Sequence, residues 1–378
     1  MKNIILTLAA ITAAAAAVAQ QTPVVPVLAA VSVPTTQNAP LPPLAPLSPV
    51  APLTPMPEFD IPVIPEPYSQ DNAADDGLSK TFSKSFSISA SDKININNQF
   101  GSITIKTWDR KEIKADVTIN AYSNDADEQQ KLLDGVRIDA DKSGDQVTFK
   151  TDITTNRNGN WGNGTRNGRK WRREVKVHYV VYMPAANALN VSQQYGNVEM
   201  PAFTGPVNAK VQYGNFNAER LSNSSNNINV QYGKMNVQDL NNGNLKQQYG
   251  GGITLGTARN INVSAQYSNV NIEKILGEAM LNVQYNKVRI GQVGESSKVL
   301  NINVQYGGVD VGFSDNYKGH MDVRTSYGSF KFGNGVSAKI EGDNEDRAGL
   351  SKSYTGSIGG GGSGQVIVKS AYGSVTFR

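Results

Sequence analysis

A ten-residue motif that recurs ten times places the strongest constraint on how this chain folds. Each copy reads apolar, any residue, apolar or small, any residue, aromatic, glycine or small, any residue, apolar, any residue, apolar, as from Ile228 to Val237. This alternation has the two-residue period of a β-strand. The aromatic positions of the ten copies are Phe100, Tyr195, Tyr213, Tyr232, Tyr249, Tyr267, Tyr285, Tyr306, Tyr327 and Tyr372.

The spacing of the copies predicts how they stack. From Tyr195 to Tyr327, successive aromatic positions lie 17 to 21 residues apart. Repeats of this period bury their apolar positions only by stacking on one another, and the end copies need caps. We therefore predict an all-β fold, a single-stranded β-solenoid or β-helix with one coil of about 18 to 21 residues per copy.

Within each copy the apolar phase shifts, since Tyr232 and Met235 are three residues apart. This shift predicts a bend at Gly233 and its equivalents, where small or conformationally permissive residues cost least. The tyrosine shares the phase of the inward Ile and Val, so we expect it to fill a corner of the coil. The preceding glutamine should point outward and form amide ladders. A stacked aromatic and amide surface that binds sugars or a peptide strand is the alternative.

A looser third side is predicted to complete each coil with one inward apolar residue, at Phe203, Leu221, Leu240, Ile275, Val293 and Phe313.

Residues 81–185 should form an N-terminal β cap with one short helix from Asp125 to Leu133, capped by Asn124. The repeats then occupy 186–378. A glycine-rich insertion at 334–364 stretches the last interval, and the final strand pair, Val366 to Phe377, still fits the motif.

The N-terminal region predicts export. Residues 1–19 have the features of a signal peptide: a basic Lys2, an apolar run from Ile4 to Val18 and a cleavage site at Ala17-Val18-Ala19. An uncleaved leader that serves as an anchor is the alternative. Fourteen of the seventeen prolines lie between Pro23 and Pro67. This composition favours a proline-rich stalk over 20–80, with a disordered leader as the alternative. We expect the protein in the periplasm, at the cell surface or secreted, with no transmembrane segment after cleavage.

Composition offers little for catalysis. The chain has no cysteine and two histidines, His178 and His320, and it lacks the common zinc, serine-hydrolase and phosphate-loop motifs. The acidic stretch Asp343, Glu345 and Asp346 lacks the spacing of a calcium loop. We therefore predict no enzyme activity, no cofactor and no metal site, with a polysaccharide-acting β-helix enzyme as a minor alternative.

One local segment is strongly basic. The loop at 155–173 combines six basic residues with two tryptophans, a mixture suited to an anionic partner such as a phosphorylated glycolipid, an acidic polysaccharide or nucleic acid. A charged, disordered loop is the alternative. The net charge of +4 does not indicate specific nucleic-acid binding. The candidate binding residues are Arg157, Trp161, Arg166, Arg169, Lys170, Trp171, Arg172 and Arg173.

The run from Gln99 to Ile103 and the later Tyr-Gly-Asn-Val-like units resemble the putative-adhesin family of bacterial envelope β-strand-repeat domains, and more distantly the head of autotransporter adhesins. The resemblance covers about residues 86–378. It implies a right-handed solenoid at the cell surface or in the periplasm, and it carries no catalytic residues.

The leading functional hypothesis is an exported, adhesin-like, non-catalytic protein of the cell envelope. Its partner would be an envelope glycan, a glycolipid or a surface protein. The alternative is a structural or regulatory periplasmic protein that binds one envelope partner. The sequence leaves the oligomeric state open.

Overall fold

The computed structural model describes residues 77–154, 161–341 and 350–378, which belong to one compact unit. The predicted signal peptide, nearly all of the predicted stalk, Arg157 and the acidic stretch from Asp343 to Asp346 lie outside the described residues. Within them the chain forms two 14-stranded β-sheets and one α-helix, which confirms the all-β prediction. None of the described helical structure is long and apolar enough to cross a membrane.

The first part of the unit contains eight strands and the helix. They are β1 (Leu78–Ser87), β2 (Lys93–Gln99), β3 (Gly101–Thr107), β4 (Glu112–Ser123), α1 (Ala126–Asp134), β5 (Val136–Ser143), β6 (Gln146–Ile153), β7 (Gly162–Arg166) and β8 (Arg169–Met183). Strand β1 begins within the last residues of the predicted stalk.

The middle part contains fourteen short strands, two for each copy of the motif. They are β9 (Ala188–Gln194), β10 (Val198–Met200), β11 (Val207–Gln212), β12 (Phe216–Leu221), β13 (Asn227–Gln231), β14 (Lys234–Leu240), β15 (Gly243–Gln248), β16 (Gly252–Ala258), β17 (Ile261–Gln266), β18 (Val270–Ile275), β19 (Ala279–Gln284), β20 (Val288–Val293), β21 (Val299–Gln305) and β22 (Val309–Phe313).

The last part contains six strands. They are β23 (Gly319–Ser326), β24 (Phe330–Phe332), β25 (Val336–Glu341), β26 (Ser351–Ile358), β27 (Gly364–Ala371) and β28 (Val375–Phe377). The predicted insertion at 334–364 therefore contributes two strands, β25 and β26, which pair antiparallel with each other.

Successive strands of the repeat region alternate between the two sheets. The first sheet runs β1-β4-β8-β3-β10-β12-β14-β16-β18-β20-β22-β28-β24, with β7 paired to β8; the second runs β25-β26-β23-β27-β21-β19-β17-β15-β13-β11-β9-β2-β6-β5. Each strand from β9 to β20 pairs in parallel with the strand two places further along the chain. Both sheets run through the predicted boundary at 185/186 without a break.

The repeat sets the register between neighbouring strands. Ile228 lies beside Ala209 in the second sheet, and Val230 lies beside Val211. All four side chains are 1% exposed or less. Inward positions of both sheets contribute to one continuous apolar core, in which fully burying a Val, Leu or Ile side chain contributes about 1.5–3 kcal/mol.

Gln247 interrupts one apolar column of this core. It lies between Val230 and Ala265 and is fully buried. Its Nε2 donates to the Gly233 carbonyl at 2.8 Å, whereas its Oε1 is buried without a hydrogen-bond partner. A buried unpaired acceptor is destabilising, and the Gly233 carbonyl also accepts from Gly251 N.

We therefore expect Gln247→Val to raise the free energy of unfolding by about 1 kcal/mol, because it removes the unpaired oxygen and continues the apolar column. Urea unfolding followed by circular dichroism measures the change. Gln248→Val, one residue along on the outer face, is the control and should not stabilise the protein. A loss of stability in Gln247→Val would contradict the expectation.

The bend between the two strands of each motif copy occurs at the aromatic residue itself. All ten aromatic motif residues have a positive φ, between 52° and 59°. We expected the following glycine to supply conformational freedom, but Gly214 and Gly233 do not have a positive φ. They are needed for space instead, since a Cβ on Gly233 would collide with the Gly214 carbonyl oxygen. Ser268 and Asn286 occupy this column in two adjacent coils.

The predicted third side is not a separate wall in the described structure. Leu221, Leu240, Ile275 and Val293 are buried as the last residues of first-sheet strands. Phe203 is buried too and bridges to Leu221. These residues therefore close the end of the core between the same two sheets.

The last strand pair departs from sequence order. Strand β27 pairs in parallel with β21 on one side and with β23 on the other, and β28 likewise lies between β22 and β24. The C-terminal strand pair is thus inserted between two strand pairs that precede it in the chain. Gly359, Gly360 and Gly361, all with positive φ, precede β27 where the chain passes from one side of β23 to the other.

Helix α1 begins one residue later than predicted and has a different cap. The Asp125 side chain accepts a hydrogen bond from Glu128 N at 2.7 Å, so Asp125 is the N-cap. Asn124 instead accepts from Arg172 N and donates to the Lys170 carbonyl. Asn124 therefore ties strand β8 to the start of the helix.

Candidate functional site

The aromatic motif residues form one stacked ladder along the edge where the two sheets meet. Neighbouring rings from Phe100 to Tyr306, and on through Tyr372 to Tyr327, have centroids 4.6–5.5 Å apart and planes within 13° of each other. The six ladder tyrosines from Tyr249 onward are 42–53% exposed. The prediction that these side chains point inward was therefore wrong.

The left-handed backbone conformation explains the error. The two-residue alternation holds only while the chain stays extended. The positive φ at each tyrosine ends that alternation and turns the side chain outward. The hydrogen-bonding ladder still continues through the bend, because Tyr213 N donates to the Gln231 carbonyl and Tyr232 N to the Gln248 carbonyl.

Stacking limits what the ladder can bind. Each interior ring has both faces covered by neighbouring rings, so it presents its edge and its hydroxyl group to solvent. Trp161 lies against Phe100 at one end, with centroids 5.5 Å apart, and Tyr327 is the last ring at the other. Partial burial raises the pKa of Tyr267, and the neighbouring Tyr285 and Tyr249 side chains add to the effect. The ladder therefore offers a row of hydroxyl groups to solvent.

A ladder of glutamines runs beside the tyrosines on the outer face of the second sheet. Each Nε2 donates to the Oε1 of the next residue at 2.7, 2.9, 3.2 and 3.4 Å in the series Gln212, Gln231, Gln248, Gln266 and Gln284. This arrangement confirms the predicted outward glutamines and their amide ladder. Each of these contacts uses one of the two N–H donors of the amide. The second N–H is left for another partner.

The rest of this outer face is also rich in amides. Asn190 donates to Asn95 at 2.9 Å, and Asn227 to Asn208 at 3.4 Å, in a second column parallel to the glutamines. Of the outward side chains on the odd-numbered strands from β9 to β21, only those of Lys210 and Lys246 are charged. We call this surface, with the adjoining tyrosine row, the amide face.

The predicted basic loop is a β-hairpin in its described part. Strands β7 and β8 pair antiparallel, and Asn167 and Gly168 form the turn with φ of 50° and 73°. Two positive φ values in an Asn-Gly pair are typical of a type I′ turn. The Asn-Gly dipeptide is thus the sequence signal that predicts this hairpin.

The structure separates the predicted basic residues into two groups. Arg172 pairs with Glu174 at 2.6 Å and lies over the Tyr122 ring, and Arg173 pairs with Glu128 at 2.7 Å. These two arginines hold the hairpin against strand β4 and the helix. The exposed residues of the set are Arg166, Arg169 and Lys170.

The two tryptophans also differ in position. Trp161 packs on Phe100 at the N-terminal end of the aromatic ladder, and Trp171 lies across from Gly164 within the hairpin. A groove of about 950 Å³ runs between the hairpin and the start of α1. Its lining includes Asp125 and Glu128 as well as the basic residues, so its charge is mixed.

The histidines have separate positions. His178 Nδ1 lies 2.9 Å from Ser102 Oγ on the outer face of the first sheet, and burial, followed by the nearby Lys176, lowers its pKa. His320 is exposed on strand β23. Among the residues that the structure describes, no three His, Asp or Glu side chains come together as metal ligands.

Comparison with known proteins gives no family assignment. No family model matches the chain, and no curated protein matches it. A putative lipid binding protein from Parabacteroides distasonis is 11% identical, with 80% of this chain and 98% of that one covered and a TM-score of 0.36. A putative adhesin from Bacteroides fragilis is 12% identical, with 79% and 97% covered and a TM-score of 0.29. A putative cell adhesion protein from Clostridium sporogenes is 11% identical, with 79% and 99% covered and a TM-score of 0.22.

Proposed function

We propose that this chain is an exported β-solenoid of the cell envelope that binds a polysaccharide along its amide face, as a non-catalytic, adhesin-like protein. The alternation of parallel strands between two sheets supports the solenoid form, because each copy of the motif adds one rung to both sheets. The predicted signal peptide supports export. The resemblance to adhesin repeat domains agrees with this role.

The amide ladder is the observation that carries the proposal. Its glutamines are held in register along the strand-stacking direction, at about 4.8 Å per rung. Each amide in the ladder has an N–H donor that the ladder does not use. A regular row of such groups matches an extended polymer that carries hydroxyl groups at regular intervals.

The electrostatics of the face favour a neutral ligand. With only Lys210 and Lys246 charged, the outer face offers hydrogen bonds and little charge attraction. Ring stacking against sugars is restricted to the ends of the tyrosine ladder, because the interior ring faces are covered. Recognition would therefore depend on many hydrogen bonds, each contributing about 1 kcal/mol.

The test replaces three ladder residues, as Gln231→Ala/Gln248→Ala/Gln266→Ala, in the full chain. We expect this variant to bind neutral polysaccharides on the order of 100-fold more weakly in affinity electrophoresis, since about three hydrogen bonds are lost. The matched control is Asn217→Ala/Asn236→Ala/Gln238→Ala on the outer face of the first sheet. Equal binding by both variants, or no binding by the unmodified protein, would refute the proposal.

The alternative is a structural or regulatory periplasmic protein that binds one envelope partner. Protease treatment of intact cells separates the two. Cleavage of the repeat region while a periplasmic control protein survives would support the surface-exposed adhesin. Survival of both proteins, together with co-purification of one stoichiometric partner, would favour the alternative.

A further inference from the structure

The C-terminal end of the two sheets is stepped. At the level of β23 and β24 both sheets are present. Beyond that level the second sheet continues with β26 and then β25, whereas among the described residues the first sheet ends at β24. Two strands of the second sheet therefore extend past the end of the first, and in the described parts of the chain no strand pairs with the outer edge of β24 or of β25.

The extension exposes apolar side chains on its inner face. Val336, Ala338 and Ile340 of β25 align with inward positions of β26, and Ile340 is 62% exposed. Phe332, at the end of β24, is 45% exposed. Tyr354 of β26 packs on Phe330 and covers only part of this face. Core-facing positions thus continue past the last strand that could cover them.

The edge strands at the opposite end of the sheets, β1 and β5, carry charged side chains. Strand β1 has Lys80 and Lys84, and strand β5 has Arg137, Asp139 and Lys142. Charged side chains on an edge strand oppose pairing with another strand. Strands β24 and β25 also carry charged side chains, Lys331, Lys339 and Glu341. What distinguishes this end is the exposed apolar face beside its edges, and exposed apolar faces of this kind promote association.

We propose that two copies of this chain pair through their C-terminal ends about a two-fold axis. In this dimer β25 of each copy adds to the edge of β24 of the other. Each sheet then runs without a gap from one copy to the other. The inner face of β25 and β26 packs against the same face of the second copy.

The number of missing strands in the first sheet favours a second copy of this chain as the partner that fills the step. The step is two strands deep, and the element that would fill it, the β25–β26 pair of the other copy, is two strands wide. A two-fold axis places the same patch on both subunits, so both open edges of each copy are used. A single strand from an unrelated partner would fill only half of the step.

The first test is the mass of the full chain by analytical ultracentrifugation over a range of concentrations. We expect a dimer, and Ile340→Asp should weaken it on the order of 100-fold or more, because an unpaired carboxylate would be buried in the interface. Met280→Asp is the matched control, since Met280 is 50% exposed on the outer face of the second sheet. Unchanged circular dichroism would show that Ile340→Asp is folded.

The second test uses the absence of cysteine from the chain. Lys331→Cys and Lys339→Cys are prepared as separate proteins, mixed and treated with a short bis-maleimide. Cross-linked dimers should form in the mixture and not in either protein alone, because β24 of one copy lies beside β25 of the other. A monomeric wild-type protein, a dimer that Ile340→Asp does not weaken, or efficient cross-linking of either variant alone would each overturn the proposal.

Discussion

Replacing Gly307 by alanine is expected to lower the free energy of unfolding by about 3 kcal/mol or more. A Cβ at this position would collide with the carbonyl oxygen of Asn286 in the neighbouring coil. That oxygen belongs to the backbone, so relief requires the coils to separate locally. Because each inward residue depends on the coils above and below it, separation also loosens the core.

The adjacent Gly308 provides the control. A Cβ there would approach Ser374 O no closer than 3.5 Å, an ordinary contact, so Gly308→Ala should change stability by less than about 1 kcal/mol. Urea unfolding followed by circular dichroism compares the two variants. A small loss in Gly307→Ala would mean that the coils accept a side chain there as readily as they accept Ser268 and Asn286.

Replacing Tyr232 should separate stacking from backbone strain. Its ring stacks on Tyr213 and Tyr249 at 4.7 and 5.5 Å, and aromatic pairs contribute about 0.5–1.5 kcal/mol each. Its φ of 56° costs a residue with a Cβ roughly 1–2 kcal/mol. We expect Tyr232→Ala to lose about 2–3 kcal/mol and Tyr232→Gly to lose about 1 kcal/mol less.

The end of the ladder is the comparison for this series. Among the residues that the structure describes, Tyr327 stacks on Tyr372 alone, so Tyr327→Ala should cost about half as much as Tyr232→Ala. Thermal and urea unfolding of the three variants measure the order. If Tyr232→Ala were as stable as the unmodified protein, the ladder would contribute nothing to stability, and its role would lie in binding alone.

Some features of the candidate site follow from the sequence because they depend on local alternation. The outward position of each ladder glutamine, such as Gln231, follows from its place between two inward positions on an extended strand. The same two-residue alternation predicts that its neighbour Tyr232 points inward, yet Tyr232 points outward. The alternation ends there because stacking on the neighbouring rings stabilises a positive φ that no single copy of the motif reveals.

The basic segment shows a second limit. Its composition correctly marked a cluster of cations, but Arg172 and Arg173 pair with Glu174 and Glu128, and Glu128 comes from a helix 45 residues away. The charges along one short segment do not show which of them pair with residues far away in the chain. It leaves Arg166, Arg169 and Lys170 as the exposed part of the cluster.

The sequence alone determined the all-β class, the inward Ile and Val positions and the amide ladder, because a two-residue period acts within each strand. Only the tertiary structure decided where the tyrosines point, where the last coil lies and which end of the sheets is open. These features depend on contacts between coils far apart in the chain. The repeated motif specifies which side chains each strand pair presents to the next. The order in which the strand pairs stack depends on the free energy of the whole structure.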